Sequence, residues 1–307
     1  MSGSSKKVII AALVGNFLVS ITKFTAAFFT QSSAMFSEGI HSLVDTGNQV
    51  LLLHGLKRAQ LPADAEFPFG HGKEIYFWSF IVAILIFAVG AGISIYEGII
   101  HIITPVEVKD SYINYIVLSI AIVFEGAAWL YAYREFKKEN TKFSIIKSVK
   151  VGKDPAMFVV LFEDSAALLG LFVAMLGIFL SEYTGILIFD GIASVVIGTI
   201  LAATAMWLAV ETKGLLIGES ADPDIVSSIK TLADEFDEVE YINEVLTMHM
   251  GPKYILVNLS IDFDDQVMAG KIEQVISDMG KRIKQKHPLV KRVFVEAESR
   301  GEAKVKI

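Results

Sequence analysis

The chain has 307 residues, of which 53% are apolar and only 20% charged, with a mean hydropathy of +0.54. That balance excludes a disordered chain and a wholly soluble enzyme, since soluble domains carry about 25% charged residues. A formal charge of −7 argues against a nucleic-acid partner, which needs a basic face, and zero cysteines exclude disulfides, thiolate metal sites and a Cys nucleophile.

A membrane-spanning helix needs about 20 mostly apolar residues. Six stretches reach that length, near 8–29, 34–56, 75–101, 112–133, 156–181 and 185–211, which predicts an all-α six-helix transmembrane bundle over residues 1–211. The first stretch is too long for the apolar part of a cleaved signal and is read as a span. Lys57, Arg58 and Lys73 lie in the connection between spans 2 and 3. Arg134, Lys137, Lys138, Lys142, Lys147, Lys150 and Lys153 lie between spans 4 and 5. Lys6 and Lys7 fall on the same side, whereas the opposite connections carry only Lys109. The positive-inside rule then places both termini in the cytoplasm or its equivalent, with the bundle in the inner membrane if the cell is bacterial.

Residues 212–307 hold half of the 34 acidic residues and read as a separate domain. A helix is predicted over 223–236, started by Asp222-Pro223, with Ile225, Ile229, Leu232 and Phe236 on one face. Strands follow at 238–250 and 253–264, the second alternating Ile255, Val257, Leu259, Ile261 and Phe263 with polar residues. A helix over 267–286 and the strand "VKRVFVEAE" complete an αββαβ order, a small α+β domain of two layers. Its core is modest for fewer than 100 residues, so pairing with a second copy is expected.

A carboxylate at the centre of a span costs about 2.5–3.5 kcal/mol on insertion scales, so it calls for a reason. Glu38, His41, Asp45 and Asn48, spaced 3, 4 and 3, form one stripe of span 2, and span 5 holds Glu163 and Asp164. His41 and Asp45 can share one cation, with Asp164 a third ligand; imidazole plus carboxylates suits Zn²⁺ and its divalent neighbours. The competing reading is an interhelical hydrogen-bond cluster, less apt because such glue rarely needs two carboxylates. Glu97 and Glu125 read as lone acids in a helix–helix hydrogen bond or at an edge position, and Lys23 either neutralises an acid or reaches for the surface. In the loop "PADAEFPFGHGKE", Asp64, Glu66 and His71 form either a second, exposed cation site or a solvated Gly/Pro turn. His249, Glu296 and Glu298 are further candidates at strand ends, with exposed charge as the plain alternative.

The segments "SSAMFSEGIHSLVD", "FGHGK" and "FEDSAALLG", with six spans and an αββαβ tail, resemble the cation diffusion facilitator family across essentially the whole chain. "HSLVDTGNQ" and "FEDSAALLG" look most like its zinc transporter 9-like branch. The resemblance implies a homodimeric divalent-cation/proton antiporter with a metallochaperone-like cytoplasmic domain and no tightly bound cofactor. Its partners would be metal ions, protons and membrane lipid, with Zn²⁺ the first candidate cargo and Co²⁺, Fe²⁺, Mn²⁺ or Ni²⁺ the others. It also implies two ligand pairs, each four residues apart: His41 and Asp45 fill the first, and Asp164 half of the second. Val160 stands where zinc-selective members carry His, so Asn48, Glu163 or water must complete the set. Asp64 and His71 match loop ligands, with Phe67 in place of a further His. Alternating access around a midplane site is the implied mechanism, with protons competing for His41, Asp45 and Asp164. A membrane-anchored metal sensor or regulator without transport is the alternative; ligands at membrane depth favour transport. An intramembrane hydrolase is a distant third reading, for want of a serine or metalloprotease motif at depth.

Overall fold

Within a bilayer the backbone has no water to bond, so apolar runs settle as helices that satisfy their own N–H and C=O groups. A computed structural model describes residues 3–108, 110–139 and 155–300. Its helical part comprises α1 (Gly3–Thr30), α2 (Ser33–Arg58), α3 (Glu74–Leu85), a π-helical segment (Ile86–Ala91), α4 (Gly92–Ile103), α5 (Ser111–Glu139), α6 (Pro155–Thr184) and α7 (Ile188–Ile217). Helix α3, the π segment and α4 make one continuous span, Glu74–Ile103. Lys109, Lys142, Lys147, Lys150 and Lys153 lie outside the described residues.

Five helical stretches of the described residues are long and apolar enough to cross a membrane. Helix α2 is as long as a span at 26 residues but is not among them, although its sequence was read as one. The reason is its polar stripe: Glu38, His41, Asp45, Asn48 and Gln49 are all buried, so this helix turns polarity toward its neighbours. The other difference is the π segment, whose extra residue per turn leaves no trace in an unbroken apolar run; such segments gather at functional places in helices. Close backbone approach holds α4 to α7. A Cβ on Gly98 would meet the Gly191 carbonyl and the Val195 amide at 2.7 Å, a small-residue crossing typical of membrane helices.

The chain divides into two compact units. The helices up to Lys213 form one, while Gly214 onward forms the other together with the loop segment Ala59–Lys73. That loop would not be assigned to the second unit from sequence order. Its Gly72 packs on the backbone of Met250 and Gly251, where any side chain would collide, and Phe69 meets Phe294 edge-on at 6.5 Å.

The second unit has α8 (Pro223–Asp234), β1 (Val239–Gly251), β2 (Tyr254–Phe263), α9 (Ala269–Lys286) and β3 (Val290–Ala297), the predicted αββαβ order. Asp222 caps α8 by accepting from the Asp224 amide, with Pro223 in the first turn, where its missing N–H costs nothing. In the sheet, β2 is central, antiparallel to β1 and parallel to β3, and α9 provides the crossover that parallel strands require. The alternating β2 residues Ile255, Val257, Leu259 and Ile261 are fully buried against Ile229 of α8 and Met279 and Ile283 of α9. Leu259→Ala is expected to cost about 2–5 kcal/mol, the range for a large-to-small change in a packed core. Hydrogen exchange on the purified chain should show protection lost across β1–β3 while the membrane helices stay protected.

Candidate metal site

Helix α2 carries the central stripe, and two devices position it. At its start, the buried Asp190 of α7 accepts from the Ser33 amide at 2.6 Å and from the Ser33 and Ser32 hydroxyls at 2.9 and 2.5 Å. A carboxylate there meets the unpaired amides and positive end of the helix. Ser37 and Ser33 extend the same seam to Ser194 at 3.1 and 2.9 Å. Sequence reasoning missed Asp190; the signal available was an acid in the first turn of span 6 and the serine run "QSSAMFS" before α2. The second device is Gly170 of α6, whose bare backbone makes room for the Glu38 carboxylate.

Along the stripe, Glu38 and Asn48 are fully buried, His41 is 1% exposed and Asp45 6%. His41 Nδ1 lies 3.4 Å from Asp45 Oδ1, outside hydrogen-bond geometry, and both ring nitrogens are buried without a hydrogen-bond partner. Asn48 Nδ2 donates to Glu163 Oε1 of α6 at 2.5 Å. The Asp45 and Glu163 carboxyls are buried within electrostatic reach of one another. Two ionised carboxylates at such a place repel, so the pair favours a proton or a cation beside it. Asp164 is half-buried beside this pair and interacts electrostatically with Glu163 and Asp45.

The structure thus links His41, Asp45, Asn48 and Glu163 pairwise across α2 and α6, with Asp164 adjoining. Among the described residues, however, no three His, Asp or Glu side chains converge closely enough to enclose a metal ion. Orphaned polar atoms mark the place: Asp45 Oδ1, Asn48 Oδ1 and both His41 nitrogens. Buried polar atoms are nearly always bonded, so such a concentration calls for a ligand, and imidazole with carboxylates and an amide oxygen suits a divalent cation.

Lys23 and Glu125, read as open questions and as a lone acid, turn out to be joined. The Lys23 ammonium donates to Glu38 Oε2 at 3.0 Å, Ser42 Oγ at 2.8 Å and Glu125 Oε1 at 2.9 Å. It neutralises acids; it does not reach for the surface, since it is fully buried. Spacing alone could not show this, because the four residues come from three helices, α1, α2 and α5.

In the loop, the buried His71 bonds through Nε2 to Asp64 Oδ2 at 3.0 Å, while Nδ1 has no partner. Asp64 Oδ1 also accepts from the Glu66 and Phe67 amides at 3.0 and 2.7 Å, closing a turn. The Phe67 amide first, then His71, hold the Asp64 carboxyl below the ordinary carboxylate range. A depressed value means the stabilisation from Asp64 is present above its unfolded pKa and lost as pH falls through the lowered one. In the tail, Glu298 accepts from Ser260 Oγ at 2.5 Å, while Glu296 is exposed.

Residues 9–217 match the family model described as the cation efflux transmembrane domain. The chain belongs to that family, the cation diffusion facilitators, as the motifs and the six-helix-plus-α+β architecture implied. It is 35% identical over 270 residues to the proton-coupled zinc antiporter SLC30A9, mitochondrial, of Xenopus laevis, covering 87% of this chain and 48% of that protein. It is 30% identical over 266 residues to metal tolerance protein C4 of Arabidopsis thaliana, covering 86% and 58%. Against the manganese efflux system protein MneP of Bacillus subtilis it is 26% identical over 292 residues, covering 95% of both. The chain spans about half the length of the SLC30A9 relatives it matches, 48% and 46% of the Xenopus laevis and human proteins.

Proposed function

We propose that this protein is a multi-pass membrane transporter that moves a divalent metal ion out of the cytoplasm, or its equivalent, in exchange for protons. The observation that carries it is the buried contact of α2 and α6, where Asn48 bonds Glu163 and two buried carboxyls, Asp45 and Glu163, lie beside an imidazole with no hydrogen-bond partner. A pair of acids that favours either a proton or a cation beside it is the chemistry of exchange. Membership of the cation efflux family supports this reading, as do relatives named for proton-coupled zinc antiport and manganese efflux. His41, Asp45 and Asp164 are the proposed ligands, completed by Glu163 and Asn48, with Asp64 and His71 a secondary site. The basic connections orient both termini toward the cytoplasmic side, the 1–211 and 212–307 parts act as transmembrane and cytoplasmic domains, and two copies form the working unit. The test is metal-dependent flux into proteoliposomes holding the full chain. Specific metal binding without flux would leave the sensor.

Selectivity follows from Val160, half-buried one turn before Asp164 on α6. One imidazole among carboxylates makes a hard, oxygen-rich site that separates Zn²⁺ poorly from Mn²⁺, Fe²⁺ or Co²⁺. Val160→His is expected to raise the preference for Zn²⁺ in competition flux. An unchanged profile would make Val160 a packing residue only.

A further inference from the structure

Lys23 is an expensive residue at its position. It is fully buried in α1, and all three ammonium protons are used: two by carboxylates on different helices, one by Ser42. A helix contact needs one acceptor, not two acids. The surplus shows in the two oxygens left over, since Glu38 Oε1 and Glu125 Oε2 are buried without hydrogen-bond partners. Two carboxylates and a hydroxyl around one nitrogen, at 2.8–3.0 Å, form a three-oxygen shell of the kind that binds a hard metal cation. Exchanging the ammonium for a divalent ion would need those oxygens to close in by roughly 0.2–1 Å, given metal–oxygen distances of about 2.0–2.6 Å.

The charge balance points the same way. Glu125 lies within electrostatic reach of Glu38, Asp45 and Asp164, Asp45 also within reach of Glu163 and Asp164, and Lys23 is the cation paired with Glu38 and Glu125. Glu125 acts on both Asp45 and Asp164, and Lys23 on His41, so the lysine group and the proposed metal site form one electrostatic unit. With Lys23 in place, Glu38 and Glu125 share one internal positive charge, and the acids beside His41 are left to a single divalent ion and its protons. Without it, Glu38 and Glu125 would be buried with no counter-charge, a cost that burial does not tolerate.

We propose that Glu38, Glu125 and Ser42 form a second cation seat whose tethered occupant is the Lys23 ammonium, and that this arm confines the intramembrane cluster to one divalent ion. Emptied of the lysine, the seat takes a divalent metal. The proposal rests on the metal site described above, but its measurement counts bound ions and does not require flux.

The experiment is Zn²⁺ counted by elemental analysis after equilibrium dialysis of the detergent-purified full chain. Lys23→Met keeps the bulk of the arm and removes the charge. It is expected to bind one Zn²⁺ per chain more than wild type, whatever the wild-type count. Lys23→Arg should bind the wild-type number, and Lys23→Met with Glu38→Gln and Glu125→Gln should return to it. The added ion should persist when Asp45→Ala and Asp164→Ala remove the first site. Folded Lys23→Met protein with the wild-type count would overturn the proposal, as would an added ion that survives Glu38→Gln with Glu125→Gln. Should Lys23→Met fail to accumulate, Zn²⁺ in the growth medium should restore it, and the two Gln changes should remove the need for metal; failure to respond to either would equally overturn it. Absence of flux in wild type would refute transport and leave these counts readable.

Discussion

Asp45→Ala and Asp164→Ala are each expected to lower metal flux to the background of protein-free vesicles while the chain still inserts. Asp45 is 6% exposed, 3.4 Å from the His41 ring and within electrostatic reach of Glu163. Removing it takes an oxygen donor from the cluster and leaves Glu163 with Asn48 as its partner. Asp164 sits next in the chain to Glu163 and is half-buried, so its loss removes the carboxylate least committed to protein partners. A divalent ion entering a dry site must replace its hydration with protein oxygens and nitrogens, and each lost donor is felt in full. The measurement is initial flux in proteoliposomes at equal reconstituted protein, with insertion checked by protease protection. Near-wild-type flux in either variant would remove that residue from the ligand set. Asp190→Asn provides the contrast: it perturbs the α2 start yet keeps an oxygen for the Ser33 amide, so most flux should survive.

Much of this arrangement was legible in the sequence, and the reasons differ by element. The tail was read nearly residue by residue because period-2 and period-3.6 patterns separate sharply there: Ile255 to Phe263 alternates, and Ile229 and Leu232 share a helix face. The stripe on α2 was legible because polar residues against an apolar background carry more information than apolar ones. Partners across helices were not. Nothing in spacing says that Lys23 meets Glu125, 102 residues away, or that Asn48 meets Glu163, 115 residues away. Such pairs are fixed by packing of whole helices, which depends on small residues such as Gly98, Gly170 and Gly191 that look neutral in a hydropathy profile. The expected His41–Asp45–Asp164 set is a case in between. The sequence supplied the residues, Asn48 and Glu163 among them, and the structure adds that these two bond across α2 and α6. The loop containing Asp64 and His71 followed the chain order of the bundle in sequence, yet it packs with the tail through Gly72 and Phe69.

Acidification is expected to weaken apparent metal affinity, and one equivalent of metal should move against protons. Metal ligands bind in their deprotonated forms, so every proton taken up by His41, Asp45, Glu163 or Asp164 competes with the ion. The sign is therefore fixed: affinity rises with pH through the range where these groups lose protons and falls as they regain them. Imidazole titrates near pH 6.5 in its unperturbed state, which made His41 the first candidate for the controlling group. The buried carboxyls of Asp45 and Glu163 add a second, since any proton held between them must leave before both can face a cation. Two variants separate them. His41→Asn keeps a polar side chain but removes the titrating ring, while Glu163→Gln retains an oxygen for the Asn48 amide and removes one of the two acids. If the carboxyl pair carries the exchanged proton, Glu163→Gln should flatten the pH profile of metal-driven proton flux more than His41→Asn does. A profile flattened only by His41→Asn would return coupling to the imidazole. Metal flux accompanied by no proton movement, across pH 5.5–8, would reject exchange altogether and leave a uniporter, because a proton on the carboxyl pair would then have no place in the transport cycle.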